Sequence, residues 1–165
     1  KGIAPSATFL LVGPPESGPG GLAAADMAQW SDCVTYLGPQ SDVRPYLTRS
    51  HVFVLPSFDG EGLPRTVLEA LATGRPIITT ATRGCRETVD ERVNGCLVRP
   101  GAADDLADAM MSFLRRPDLI PAMARASRLK AERKFSVEIV NRQMIEALLD
   151  TDRLYDKTTE ARVAG

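Results

Sequence analysis

At 165 residues, 44% of them hydrophobic, the chain is long enough for one globular domain with a proper core and short for two. Its 20 Lys and Arg against 21 Asp and Glu leave a net charge of -1, which excludes nucleic acid or an anionic membrane surface as the main electrostatic partner. No apolar run approaches the roughly 20 residues needed to span a bilayer. The three cysteines, Cys33, Cys85 and Cys96, are odd in number and lack metal-ligand spacing, so they fit reduced thiols in a cytoplasm better than a disulfide framework. The chain opens on Lys1-Gly2 directly before a strand-like run, from which we expect a single domain over 1–165 cut from a longer polypeptide.

In chain order, ATFLLVG (7–13) predicts a first buried strand, stopped by Gly-Pro-Pro. The loop VGPPESGPGG then separates Gly13 and Gly18 as a phosphate loop would. Pro19 and Gly20 stand where Lys and Ser or Thr are needed, however, and Pro14, Pro15 and Pro19 remove N–H groups that would cradle a phosphate. It reads as an irregular surface loop. Helical spacing in LAAADMAQW (22–30) leads to a strand at CVTYLG (33–38), and DVRPYLTRS (42–50) to a third at HVFVLPS (51–57). A helix over LPRTVLEALATG (63–74), a strand at RPIITT (75–80), a short helix over CRETVDERV (85–93) and a last strand at NGCLVRP (94–100) follow. Alternating strands and helices of this kind mark an α/β domain whose parallel sheet is covered on both faces. From 103 onward the pattern is wholly helical, over 103–116, 119–134 and 135–157, with 158–165 expected as a frayed end.

Three features read as structural. His51 begins a strand without an acid or cysteine arranged to use it. Asp150-Thr151-Asp152 spells D-x-D but lies in a helical pattern, where a solvated face is expected. Arg125, Arg128, Lys130, Arg133 and Lys134 alternate with apolar residues as an exposed helix face does, with peripheral association at anionic lipid head groups as the minor reading.

The stretch FDGEGLPRTVLEA (58–70) carries more. In an open parallel sheet, ligands bind beyond the carboxyl ends of the strands, and 58–63 leaves such an end. Pro64 suits the first helical position. The N–H groups of Gly62, Leu63 and Arg65 would then point outward with the positive end of the helix dipole behind them, an anion site that suits a diphosphate. Glu69 lies about one and a half turns in, and helical side chains tilt back toward the N-terminus, so its carboxylate can accept from vicinal hydroxyls such as a ribose offers. Glu61, in the loop, could accept from hydroxyls of whatever the diphosphate carries. Spacing alone leaves a second reading open, with Glu61 a first-turn acid and Glu69 a solvated helix residue.

With these stretches, FLLVG, VTYLGPQSDV, VFVLPSFDGEGLPRTVLEALATGRPIITT, RGCRETVDERVNGCLV and ERKFSVEIV, the chain resembles the C-terminal donor-binding domain of retaining GT-B glycosyltransferases of the GT4 family (glycosyl transferases group 1). The resemblance implies a Rossmann-like three-layer domain with C-terminal helices, and a partner N-terminal GT-B domain on the same polypeptide. It also implies transfer of a hexose from a UDP-, GDP- or ADP-sugar to a glycan or lipid-linked acceptor, with no cofactor or metal. Glu61 and Glu69 match the family's E-x7-E motif, the first glutamate toward the donor sugar, as the catalytic group, and the second toward the ribose. Gly62 and Leu63 match the backbone that holds the diphosphate, Gly84 and Cys85 a loop on the sugar side, and Gly38 and Pro39 the loop beside the nucleobase. Arg65, Arg83 and Arg86 could add charge near the phosphates. The chain departs from the pattern at Pro14-Pro15, where many members read V-G-x-G. A non-catalytic sugar-nucleotide-binding module is the rival reading. A receiver-type domain is excluded because ATFLLVGPP and HVFVLPS lack its acidic residues.

Overall fold

The computed structural model describes residues 7–15, 23, 27, 30–58 and 62–163, the side chains of 151–163 excepted. The elements are β1 (Phe9–Leu11), β2 (Val34–Tyr36), α1 (Arg44–Arg49), β3 (Phe53–Leu55), α2 (Arg65–Ala72), β4 (Ile77–Thr80), α3 (Arg83–Arg86), β5 (Gly95–Val98), α4 (Ala103–Arg115), a 3-10 turn (Pro117–Leu119), α5 (Ile120–Lys134) and α6 (Val137–Val163). Every strand pairing is parallel, and the strands form two ladders, β1-β2 and β3-β4-β5.

Strand β4 organises the larger ladder. Successive strand residues face opposite sides, and here both sides are filled. Ile77 packs with Leu47 of α1, Val67 and Leu71 of α2 and Val89, whereas Ile78 packs with Val98 of β5, Phe113 of α4 and Met123 of α5. Thr79 and Thr80 are buried as well, and remain satisfied because their hydroxyls donate to the carbonyls of Leu55 (2.8 Å) and Ser57 (2.5 Å). At Gly95 a Cβ would lie 1.9 Å from the Ile77 carbonyl oxygen, so only glycine lets β5 close on β4.

Helix α2 buries Val67, Ala70 and Leu71, the i, i+3, i+4 stripe that the sequence shows. It ends at Gly74, with φ of +68°. The Gly74 N–H donates to Leu71 and the Arg75 N–H to Ala70, a left-handed terminus that satisfies two end carbonyls. Helix α5 then lies against α2, and Arg128 donates to the Ala72 carbonyl at 2.6 Å.

Four expectations need revision. The expected parallel sheet of five buried strands is instead two ladders, and in β1 and β2 no residue is fully buried. Pro64 is the cap of α2, in extended backbone (ψ 122°), and helical geometry begins at Arg65. The helix expected over 85–93 is only α3. Beyond it, the fully buried Asn94 donates to the Thr88 carbonyl (3.0 Å) and accepts from the Asp90 N–H (2.6 Å), and this side chain holds 88–94 as a turn in place of a helix. Residues 158–163, expected to fray, continue α6. The helix expected over 22–30 lies largely outside the described residues, where Met27 is helical and buried.

Candidate functional site

The loops that leave β3 and β4 meet at the carboxyl end of the larger ladder, tied there by the Thr79 and Thr80 hydroxyls. On the first loop Gly62 and Leu63 are exposed, and the buried Pro64 turns the chain into α2. The Pro64 carbonyl accepts the N–H groups of Val67 (3.1 Å) and Leu68 (3.3 Å). Among the described residues, nothing accepts from the N–H groups of Gly62, Leu63 or Arg65. Among the described residues these N–H donors are free, and α2 has no acidic residue in its first turn to offset the partial positive charge of the helix end.

Glu69 lies on α2 between Leu68 and the buried Ala70 and is half-buried. Its backbone carbonyl accepts from Thr73, but its carboxylate has no hydrogen bond or ion pair among the described residues. A carboxylate partly removed from water without a partner is costly, and a ligand hydroxyl would relieve that cost. Glu61, with Asp59 and Gly60, lies outside the described residues.

The second loop runs from β4 through Thr82 into α3, where Gly84 and Cys85 are buried. Cys85 is 1% exposed, so what this turn presents to a ligand is backbone, not the thiol. Sequence reasoning missed Thr82. Its Oγ1 is buried yet has no hydrogen-bond partner among the described residues, and one hydroxyl in a turn has no pattern to reveal it. Arg83 and Arg65 are exposed and unpaired among the described residues, and Arg86 donates its Nε–H to the Ala81 carbonyl at 2.8 Å. The α3 end is pinned to α5 by the Lys134–Glu87 ion pair, and the ammonium of Lys134 holds the Glu87 carboxyl below its usual range.

Gly38 and Pro39 stand apart from this group, at the carboxyl end of the β1-β2 ladder. Gly38 has φ of +68°, and its carbonyl accepts the Gly13 N–H at 3.1 Å. Tyr36 donates its hydroxyl to the Gly13 carbonyl (3.0 Å), while Gln40 links the Leu37 carbonyl to the Tyr46 hydroxyl of α1. The Gly62-Leu63 and Gly84-Cys85 turns thus follow the neighbouring strands β3 and β4 at one sheet end, Glu69 lies on the helix that leaves the first of them, and Gly38 and Pro39 stand at the end of the other ladder.

Three of the five basic residues of α5 are held in ion pairs: Lys130 with Asp90, Arg128 with Glu132 and Lys134 with Glu87. His51 is exposed, and Asp150 to Asp152 lies within α6. Cys96, on β5, has its thiol pushed up to about 11 by burial and by the nearby Glu91 charge, so it is no nucleophile near neutrality. Among the described residues no group of three His, Cys, Asp or Glu could hold a metal ion, and no helix is long and apolar enough to cross a membrane.

Parallel strands with helices on both faces, and candidate ligand groups at the carboxyl ends, define a Rossmann-like α/β domain of the kind found in GT-B glycosyltransferases. Residues 2–116 match the family of glycosyl transferases group 1, and the chain belongs to that family. It is 34% identical over 125 residues to the amylovoran biosynthesis glycosyltransferase AmsK of Erwinia amylovora, covering 71% of this chain and 30% of AmsK. The sucrose-phosphate synthase of Thermosynechococcus elongatus shares 28% identity at a TM-score of 0.72, over 88% of this chain and 38% of that one. HepE of Anabaena, solved in complex with UDP-glucose, has the same fold at a TM-score of 0.75 and 24% identity, over 88% of this chain and 42% of HepE. The chain thus spans about a third of the length of the relative AmsK.

Proposed function

We propose that this chain is the donor-binding domain of a retaining glycosyltransferase that moves a hexose from a nucleotide diphosphate sugar to a glycan or lipid-linked acceptor, working with an N-terminal GT-B domain of the same polypeptide. The observation that carries the reading is the half-buried Glu69 carboxylate, without a partner among the described residues, on a helix whose start offers N–H donors that are free among the same residues. Membership of the group 1 glycosyltransferase family points the same way.

In this reading the diphosphate rests on the N–H groups of Gly62, Leu63 and Arg65, Glu69 accepts from the ribose hydroxyls, and the Gly84-Cys85 backbone closes on the sugar side. Gly38 and Pro39 flank the base, and Glu61 positions the hexose as the catalytic group. Retention keeps the leaving phosphate and the acceptor on one sugar face, so charge must be stabilised as the diphosphate departs. The helix start and the guanidinium groups of Arg65, Arg83 and Arg86 supply this by fixed dipoles and charges. No cofactor is called for, and binding is expected to survive EDTA.

Calorimetry on the 165-residue chain with UDP, GDP and ADP tests the reading. One of the three is expected to bind weakly, with no turnover of the corresponding sugar nucleotide. Glu69→Ala removes two charge-assisted hydrogen bonds of about 1.5–3 kcal/mol each, and a tenfold or greater loss of bare-nucleotide affinity is expected. Glu61→Ala is expected to leave that affinity within twofold. Equal losses in the two variants, with the fold retained by circular dichroism, would overturn this division of roles, and absence of binding by all three nucleotides would overturn the donor site itself.

A further inference from the structure

Phe58 is 73% exposed, the most exposed large apolar side chain among the described residues whose exposure is given. Nothing in the core requires a ring there. Its position is nevertheless set from two sides. The Ser57 carbonyl is held over the end of β4 by the Thr80 hydroxyl, so the chain leaving β3 leans across its neighbour in the sheet. The ring then continues in that direction to Gly101, three residues past the end of β5. A Cβ at Gly101 would lie 3.0 Å from the Phe58 Cε2, and Gly101 has φ of +74°, so the glycine both shapes the turn and leaves room for the ring edge. Since β4 lies between β3 and β5, Phe58 crosses the carboxyl end of β4, from which the Thr82–Gly84 turn departs.

We propose that the Phe58 ring is a platform for the pyranose of the donor sugar, lying beside the Thr82–Gly84 turn with one face open to the ligand. This rests on the donor reading above and adds to it a residue outside the E-x7-E pair. The chemistry matches: the C–H face of a pyranose is apolar with a partial positive charge, complementary to the negative face of an aromatic ring. The buried hydroxyl of Thr82, without a partner among the described residues, begins the neighbouring turn, so an apolar face and a hydroxyl adjoin, as a sugar requires. An aromatic at this place selects a ring-shaped, hydroxylated ligand and contributes nothing to a bare nucleotide.

Saturation-transfer NMR with UDP-glucose on the 165-residue chain reads this directly, because sugar and uracil protons report separately. In Phe58→Ala the saturation of the pyranose protons relative to uracil is expected to fall at least twofold, with uracil saturation unchanged. Phe58→Trp is expected to restore it, and Gly101→Ala, which displaces the ring without removing it, to lower it. Because Phe58 is exposed, each Phe58 variant should keep the thermal midpoint of the parent. An unchanged ratio in Phe58→Ala, or equal loss at sugar and uracil, overturns the platform while uracil saturation in the parent upholds the nucleotide site. Where the parent shows no uracil saturation, the same ratio is read against the base protons of GDP- or ADP-glucose, and no base saturation with any of the three overturns the donor site and the platform together.

Discussion

The two ladders are built from similar sequence, short apolar runs ended by Gly, Pro or Ser, yet they are unequally packed. All four residues of β4 are buried, whereas Leu10 at the middle of β1 is 38% exposed and no residue of β1 or β2 is fully enclosed. β4 has a hydrogen-bonded neighbour on each side and helices on both faces; β1 and β2 have one strand neighbour each. The difference bears on function. The groups proposed for diphosphate, ribose and sugar hang on the ladder built around the buried β4, and those proposed for the base hang on the lighter one.

The sharpest way to break this comparison is at two glycines. Gly95→Ala would drive a Cβ into the Ile77 carbonyl at 1.9 Å, so β4 and β5 cannot pair, and the variant is expected to fail to fold by circular dichroism. Gly38→Ala in the lighter ladder meets nothing within 4 Å and carries only the left-handed backbone strain, about 1–2 kcal/mol. A smaller contrast follows from side-chain truncation. Ile78→Ala, in a fully buried site, is expected to cost about 2–5 kcal/mol in urea unfolding. Leu10→Ala, at an exposed site, is expected to stay within about 1 kcal/mol. Similar values for the two would show that β1 is enclosed in solution.

The smallest effect concerns acid. The Glu87 carboxyl is held below its usual range by Lys134, so the folded state binds its proton less readily than the unfolded chain does. The stability it contributes is therefore present above the ordinary carboxylate value and is lost as pH falls through the lowered one. Glu87→Gln is expected to flatten that part of the profile in thermal melts from pH 7 to 3, modestly, since the pair is solvent-exposed.

Much of this molecule is written locally. The apolar stripe of α2 is visible as V-x-x-A-L in the sequence, and its end at Gly74 follows from the glycine itself. Glu61 and Glu69 stand out by spacing, but spacing could not separate a ligand carboxylate from a solvated one. What bears on the choice is that Glu69 is half-buried and its carboxylate has no partner among the described residues. Nor could it show Thr82, whose buried hydroxyl has no partner among the described residues, or Phe58, whose exposure only the folded chain reveals.

Helix and strand types, the parallel α/β class and the resemblance to group 1 glycosyltransferases are thus legible in the sequence itself, because periodicity, turn residues and motifs act within a few residues of one another. Which strands share a ladder, how deeply each is buried, and where α3 stops depended on contacts between residues far apart in the chain. Asn94, which takes Thr88 and Asp90 as partners where a helix was expected, shows why: a buried amide must find hydrogen bonds, and the tertiary environment decides where they are.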